Sequence, residues 1–357
     1  MAEVILMLLF AAAPEGKGGP LPGFLPPEEA AKLESKYLTN VRQVTEEGTC
    51  GEGYFSPDGS KIIFQAIRGD HPFYQIYVKD LATGVERRVS TGYGRTTCSY
   101  FHPTKQRIVY ASSHLDPQRD AVAKAEIDRL EELRKNPPKG RSYSWNFDPY
   151  MDIFEADLDG SHLVQLTNTP GYDAEGAYSP DGKEIAFCSF REGSGNIYVM
   201  NADGSNVRQL TNSPGYDGGP FFSPDGKRII FRGEVRKKDY LQIFVINADG
   251  TGERQLTNND AVNWGPFWHP DGKHIIFSTS LQGHFNYELY VMNVDTGKMD
   301  RVTYMFGADV LPVFSPDGKK LLWTSKRNGP GGTGSPQREA TSQLWMADFN
   351  AEKLSEL

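Results

Sequence analysis

One phrase recurs along the chain. YFSPDGSKIIF stands at 54–64, AYSPDGKEIAF at 177–187, FFSPDGKRIIF at 221–231, FWHPDGKHIIF at 267–277 and VFSPDGKKLLW at 313–323, with a degenerate copy, YFHPTKQRIVY, at 100–110. Repetition at a fixed interval decides architecture before any local motif does. The Ser or His ahead of each Pro falls at 56, 102, 179, 223, 269 and 315, in steps of 46, 77, 44, 46 and 46 residues. The chain therefore holds six units, and the second is lengthened by an insertion over about 115–150.

Each unit reads as four short strands. The first precedes Pro-Asp-Gly, a tight turn in which Pro presets φ and Gly accepts a positive φ. The second is the IIF run, whose consecutive apolar residues suit a strand covered on both faces. The third is the IYVM type of run (QIYVKDLATG, NIYVMNADG, QIFVINADG), ended by an Asn/Asp-Gly turn, and the fourth is the QLT segment. Units of this length with four strands fit an all-β, six-bladed propeller of four-stranded antiparallel blades. The last unit lacks a QLT strand, whereas VRQVT at 41–45 precedes the first unit. The expectation is a ring closed by strand 41–45 joining the last blade, which leaves no open edge from truncation.

Around that ring the domains read as an apolar segment at 1–13, a linker and short helix at 14–40, and the propeller at 41–357. VILMLLFAAA (4–13) has the form of a secretory h-region with a small-residue end, without a basic n-region, and is too short for a transmembrane span. Periplasmic or secreted placement is the expectation. A net charge of −8 disfavours nucleic acid as a partner. The three cysteines are Cys50, Cys98 and Cys188. Cys50 and Cys98 precede the turns of neighbouring units, which is compatible with a bridge, and Cys188 reads as a small apolar side chain.

SPDGKRIIF and IYVMNADGSNVRQLT resemble the propeller repeats of the TolB family over roughly 41–350. The α/β domain that precedes the propeller in TolB has no counterpart here, where about 40 residues stand before the first blade. No Gly-x-Ser-x-Gly elbow of the related peptidases is present. The resemblance implies that the first strand of each blade is innermost.

Antiparallel blades put the fourth-to-first and second-to-third connections on one variable face and the repetitive turns on the other. Seven residues before each Pro stand Cys50, Thr96, Asp173, Asp217, Asn263 and Asp309; five before stand Glu52, Cys98, Glu175, Gly219, Gly265 and Leu311. With the first strand innermost, Glu52, Asp173, Glu175, Asp217 and Asp309 would crowd the mouth of the central channel. Asp173, Glu175, Asp217 and Asp309 suit a hard cation such as calcium, with Asn263 adding an oxygen. The alternative is that they cap turns and bind backbone. A second ring, at the end of the IIF strands, includes Arg68, His114, Arg191 and Arg327, placed either to hold a carboxylate ligand or to pair with the acids. In the insertion, DPQRDAVAKAEIDRLEELRKNPP reads as a helix capped by Asp116, with Ala123, Ile127 and Leu130 as an apolar stripe. Tyr143 and Trp145 follow as candidate contact residues, in either a lid or a locally packed arm. The function expected is an exported, non-catalytic binder of a protein, peptide or glycan partner on the variable face. The alternative is a metal-assisted lyase or hydrolase at the acidic mouth.

Overall fold

The computed structural model describes residues 25–136, 147–234, 240–283, 286–327 and 341–357. Its strands form six four-stranded antiparallel sheets, a six-bladed β-propeller. The blades begin at Thr49–Phe55, Thr96–Phe101, Asp173–Tyr178, Asp217–Phe222, Asn263–Trp268 and Asp309–Phe314. Each of these first strands packs against the first strands of both neighbours, so the six surround the axis. In five blades chain order is spatial order. The sixth takes its outer strand from the other end of the chain: Leu38–Gln43 pairs antiparallel with Gln343–Phe349, Leu38 opposite Phe349 and Gln43 opposite Trp345. That strand begins three residues before the expected 41–45.

The repeat phrases are hydrogen-bond devices. In blade 1 the Ser56 hydroxyl donates to Asp58 at 2.6 Å and accepts from Lys61 N–H at 2.9 Å, which closes the turn. Ser179, Ser223 and Ser315 do the same. His102 substitutes a ring nitrogen, accepting from Thr104 and Lys105 N–H at 3.1 Å each. The Thr of these fourth segments accepts from an amide near the start of the third strand: Thr167 from Ile153, Thr211 from Ile197, Thr257 from Ile243 and Thr303 from Leu289. Thr45 accepts from Leu344 N–H at 2.9 Å, so the chain's start supplies this clamp to the sixth blade. The IIF strands are buried on both faces, as at Ile62, Ile63 and Phe64.

Every first strand shifts register midway. At the shift stands a residue in the left-handed region: Glu52 (φ 42), Cys98 (52), Glu175 (62), Gly219 (60), Gly265 (58) and Leu311 (54). Such bulges re-aim side chains, and for non-glycine residues the conformation costs on the order of 1–2 kcal/mol each. Polar side chains of the preceding blade's second strand hold three of them: Thr324 accepts from Glu52 N–H (3.0 Å), Gln65 from Cys98 N–H (3.3 Å) and Ser278 from Leu311 N–H (3.0 Å).

Among the described residues two α-helices lie outside the blades. Helix α1, Pro27–Glu34, begins on proline, whose missing N–H costs nothing in a first turn. Helix α2, Arg119–Lys135, belongs to the insertion in the second blade. Among the described residues no helix is long and apolar enough to cross a membrane. All three cysteines are free thiols, Cys50 and Cys98 included.

Candidate functional site

A cavity of about 170 Å³ opens on the axis, and all six left-handed residues line it. Its floor is aromatic. Two residues beyond each bulge the first strands of blades 1, 2, 4 and 5 carry Tyr54, Tyr100, Phe221 and Phe267. Tyr54 meets Tyr100 edge-on at 5.1 Å and Phe221 at 5.6 Å, and Phe221 meets Phe267 at 5.1 Å. The rings block the axis, so the cavity is a cup.

One wall holds Glu52 and Cys98, brought together by two neighbouring bulges. The Glu52 carboxyl accepts from the Tyr54 hydroxyl at 3.0 Å, and the Cys98 thiol donates to it at 3.7 Å. Burial, with the charge on Glu175 adding to it, pushes the Glu52 carboxyl up to about 7. Burial, then Glu52, holds the Cys98 thiol well above its usual value. The opposite wall holds an ion pair. Arg232 Nη2 donates to Glu175 at 2.7 Å, and Tyr216 donates to both Glu175 oxygens at 2.9 and 3.1 Å. Gly219 N–H also donates to Glu175. The Arg232 guanidinium lies against the rings of Tyr216 and Trp264, and its Nε–H meets no acceptor among the described residues.

Helix α2 contributes Glu126 to the cup, and Phe147, from the end of the insertion, lines it too, against Tyr172, Phe190 and Tyr216. Glu126 is 5% exposed and pairs with Arg129 through both oxygens at 2.8 and 2.7 Å, whereas Ile127 is 39% exposed. The helix turns a charged pair, not the expected isoleucine, toward the ring. It starts at Arg119, after Gln118; Asp116 instead accepts from Gln118 N–H at 2.7 Å, in the turn before it. Tyr143 and Trp145 lie outside the described residues.

Of the acids expected at the mouth, the cup brings together Glu52 and Glu175. Asp173, Asp217, Asn263 and Asp309 are absent from its lining. Asp173 is bound by Arg191 at 3.1 Å. Asp309 accepts from Arg327 at 2.6 Å and from Trp323 at 3.1 Å. Asn263 donates to Gln242 and Asn259. Burial raises Asp217 to about 7. Among the described residues no three His, Cys, Asp or Glu side chains gather as a metal site.

The second-ring side chains are also engaged. Arg68 pairs with Glu86 over the Tyr77 ring. The His114 ring lies tilted against Phe154 at 4.4 Å and meets the Ser112 hydroxyl at 3.0 Å. Arg327 binds Glu34 at the end of α1 at 3.0 Å, in addition to Asp309. Glu34 further accepts from the backbone of Tyr304 and Met305, which fastens α1 to the ring.

Sequence reasoning passed over Arg232, Tyr216, Glu126 and the aromatic floor. The floor had a signal: the third residue before each Pro is aromatic in four of six units. Arg232 had one too. The eighth residue after Pro is polar in Gln65, Arg232, Ser278 and Thr324, inside an otherwise apolar run.

A family model described as the TolB beta propeller domain matches residues 142–231 and 207–286. A stretch of 50 residues is 40% identical to the protein TolB homolog of Chlorobaculum tepidum, amounting to 14% of this chain and 12% of that protein. The solved structure of TolB from Acinetobacter baumannii matches with a TM-score of 0.58 and 20% identity, over 76% of this chain and 58% of that one. A gluconolactonase from Xanthomonas campestris matches with a TM-score of 0.57 and 15% identity, over 90% of this chain and 93% of that one. The match thus spans 12% of the one TolB relative and 58% of the other, less than two thirds of each. At these identities the structural likeness is one of fold.

Proposed function

The chain is a TolB-like β-propeller, and on that premise we propose that it is an exported, non-catalytic module that binds a protein, peptide or glycan partner on its variable face. One observation carries this reading: the cup is blind at its aromatic floor and lies on the same face as the insertion. A blind cup among loops is a receptor for a projecting group. Around it Tyr93, Leu115, Ile127 and Tyr150 are exposed on the loops and insertion of that face.

The test is capture of a partner from extracts of the native host, with the intact chain and with α2 replaced by a short Gly-Ser linker. Capture that requires α2 supports the reading; equal capture by both forms contradicts it. N-terminal sequencing of the exported protein checks placement: periplasmic or secreted protein beginning after residue 13 is the expected result.

A second reading, metal-assisted lyase or hydrolase chemistry, has Glu52 in its favour, because a carboxyl poised near 7 suits proton transfer. Calcium or another divalent ion at the mouth would assist. Metal content of protein purified without chelator, compared with Glu52→Gln, Asp173→Lys and Asp217→Lys variants, tests it. Unchanged content in the variants ends that idea.

A further inference from the structure

The chemistry of the cup narrows what the proposed binding function would recognise, and the step rests on that reading. We infer that the cup takes an organic cation, an alkylammonium group presented either by a free amine or by a side chain of a partner protein. Three observations lead there.

The first is the lining. Tyr54, Tyr100, Phe221 and Phe267 form the floor, with Phe147 and Trp264 also facing the cup. Ring faces are electron-rich and attract cations, more strongly when water is excluded. The second is a mismatch of charge. Glu175 is matched by Arg232 at 2.7 Å, Glu126 by Arg129 at 2.7 Å, and Arg95 at the rim by Asp148 at 3.6 Å. Glu52 has no such partner: among the described residues its carboxyl meets only the Tyr54 hydroxyl and the Cys98 thiol. Ionised, it leaves the cup one negative charge in excess, and a buried charge without a counter-ion is costly. An entering ammonium supplies that counter-charge, and the rings cover its alkyl stem. The third is size. A space of about 170 Å³ admits a small alkylammonium or the end of a lysine side chain, not a folded segment.

The groups facing Glu52 are Cys98, Tyr54 and Tyr74, with Glu175 and Arg232 across the cup. Glu175 opposes its ionisation and Arg232 favours it. The cation should therefore bind better above pH 7, with release of a proton.

Calorimetric titrations at pH 8.5 and 5.5 test this, using n-butylammonium and its neutral counterpart n-butanol. Butylammonium should bind saturably and about ten-fold or more tighter than butanol at pH 8.5. That advantage should fall about five-fold or more at pH 5.5, and likewise in Glu52→Gln, whose fold is checked by circular dichroism. A blocked Gly-Gly-Lys-Gly-Gly peptide and its acetyl-lysine form separate the two sources. Tighter binding of the lysine peptide than of butylammonium, lost on acetylation, assigns the cation to a partner side chain; the reverse order assigns it to a free amine. Equal binding of butanol, or cation binding unchanged in Glu52→Gln, overturns the inference. A protein that captures its partner through α2 yet ignores both cations refutes the cation and leaves the binding surface standing.

Discussion

Glu52 combines two costs: a left-handed backbone and, among the described residues, a carboxyl without a cation. Its proton links it to stability. The folded-state value, about 7, lies above that of the unfolded chain, so the folded state binds the extra proton between roughly pH 4.5 and 7. The stabilisation is fully present below that window and is lost as pH rises through 7. Glu52→Gln should therefore be more stable than the parent at pH 8.5, by about 1–3 kcal/mol, and equal to it within error near pH 4.5. Urea denaturation at both values measures this. Gly219 shows the geometric side of the same ring. A Cβ there would stand 1.9 Å from Arg232 Nη1, on a backbone with φ +60. Gly219→Ala should cost about 1–3 kcal/mol and loosen the Arg232–Glu175 pair. A loss below about 0.5 kcal/mol in the urea midpoint would contradict it.

Among the elements, the two helices should behave differently when perturbed. Helix α1 is fastened by Glu34, 3% exposed and bound to Arg327 and to two backbone amides. Glu34→Ala leaves those donors unsatisfied, although Arg327 keeps Asp309, so a loss of about 2–4 kcal/mol is expected on thermal or urea unfolding. Helix α2 buries little beyond Glu126, and replacing it should shift stability by no more than about 1 kcal/mol. The blades were legible because turn chemistry repeats at fixed steps, and the closing strand because the ring lacked one. The bulges were not. Alternation assumes a continuous pleat, under which Asp173 and Glu175 share a face; the register shift separates them. Only Gly219 and Gly265 hinted at positive φ, while Glu52, Cys98, Glu175 and Leu311 are not turn residues. The face of α2 was misread for a related reason. Apolar spacing selects Ile127, but Ile127 is exposed and the residue of α2 that reaches the cup is Glu126.

For the whole molecule, closure and the cup depend on each other. Thr45 and the strand Leu38–Gln43 complete the sixth blade, whose first strand supplies Leu311 and Val313 to the cup. Thr45→Val removes a buried acceptor and should cost about 1–3 kcal/mol. Truncation through residue 45 exposes the edge of Gln343–Phe349 and should lower the melting temperature and promote association, read by light scattering. The most direct measurement uses the cup's own thiol. Cys50 and Cys188 are buried among apolar side chains, while Cys98 lines the cup beneath α2. With a small neutral methanethiosulfonate at pH 9, chosen because burial and Glu52 hold the Cys98 thiol above its usual value, and with mass-spectrometric mapping, a cup open to the variable face gives modification of Cys98 in the folded protein, several-fold faster when α2 is replaced, while Cys50 and Cys188 react only on unfolding. A Cys98 as slow as the other two, and indifferent to α2, would contradict an accessible cup on that face.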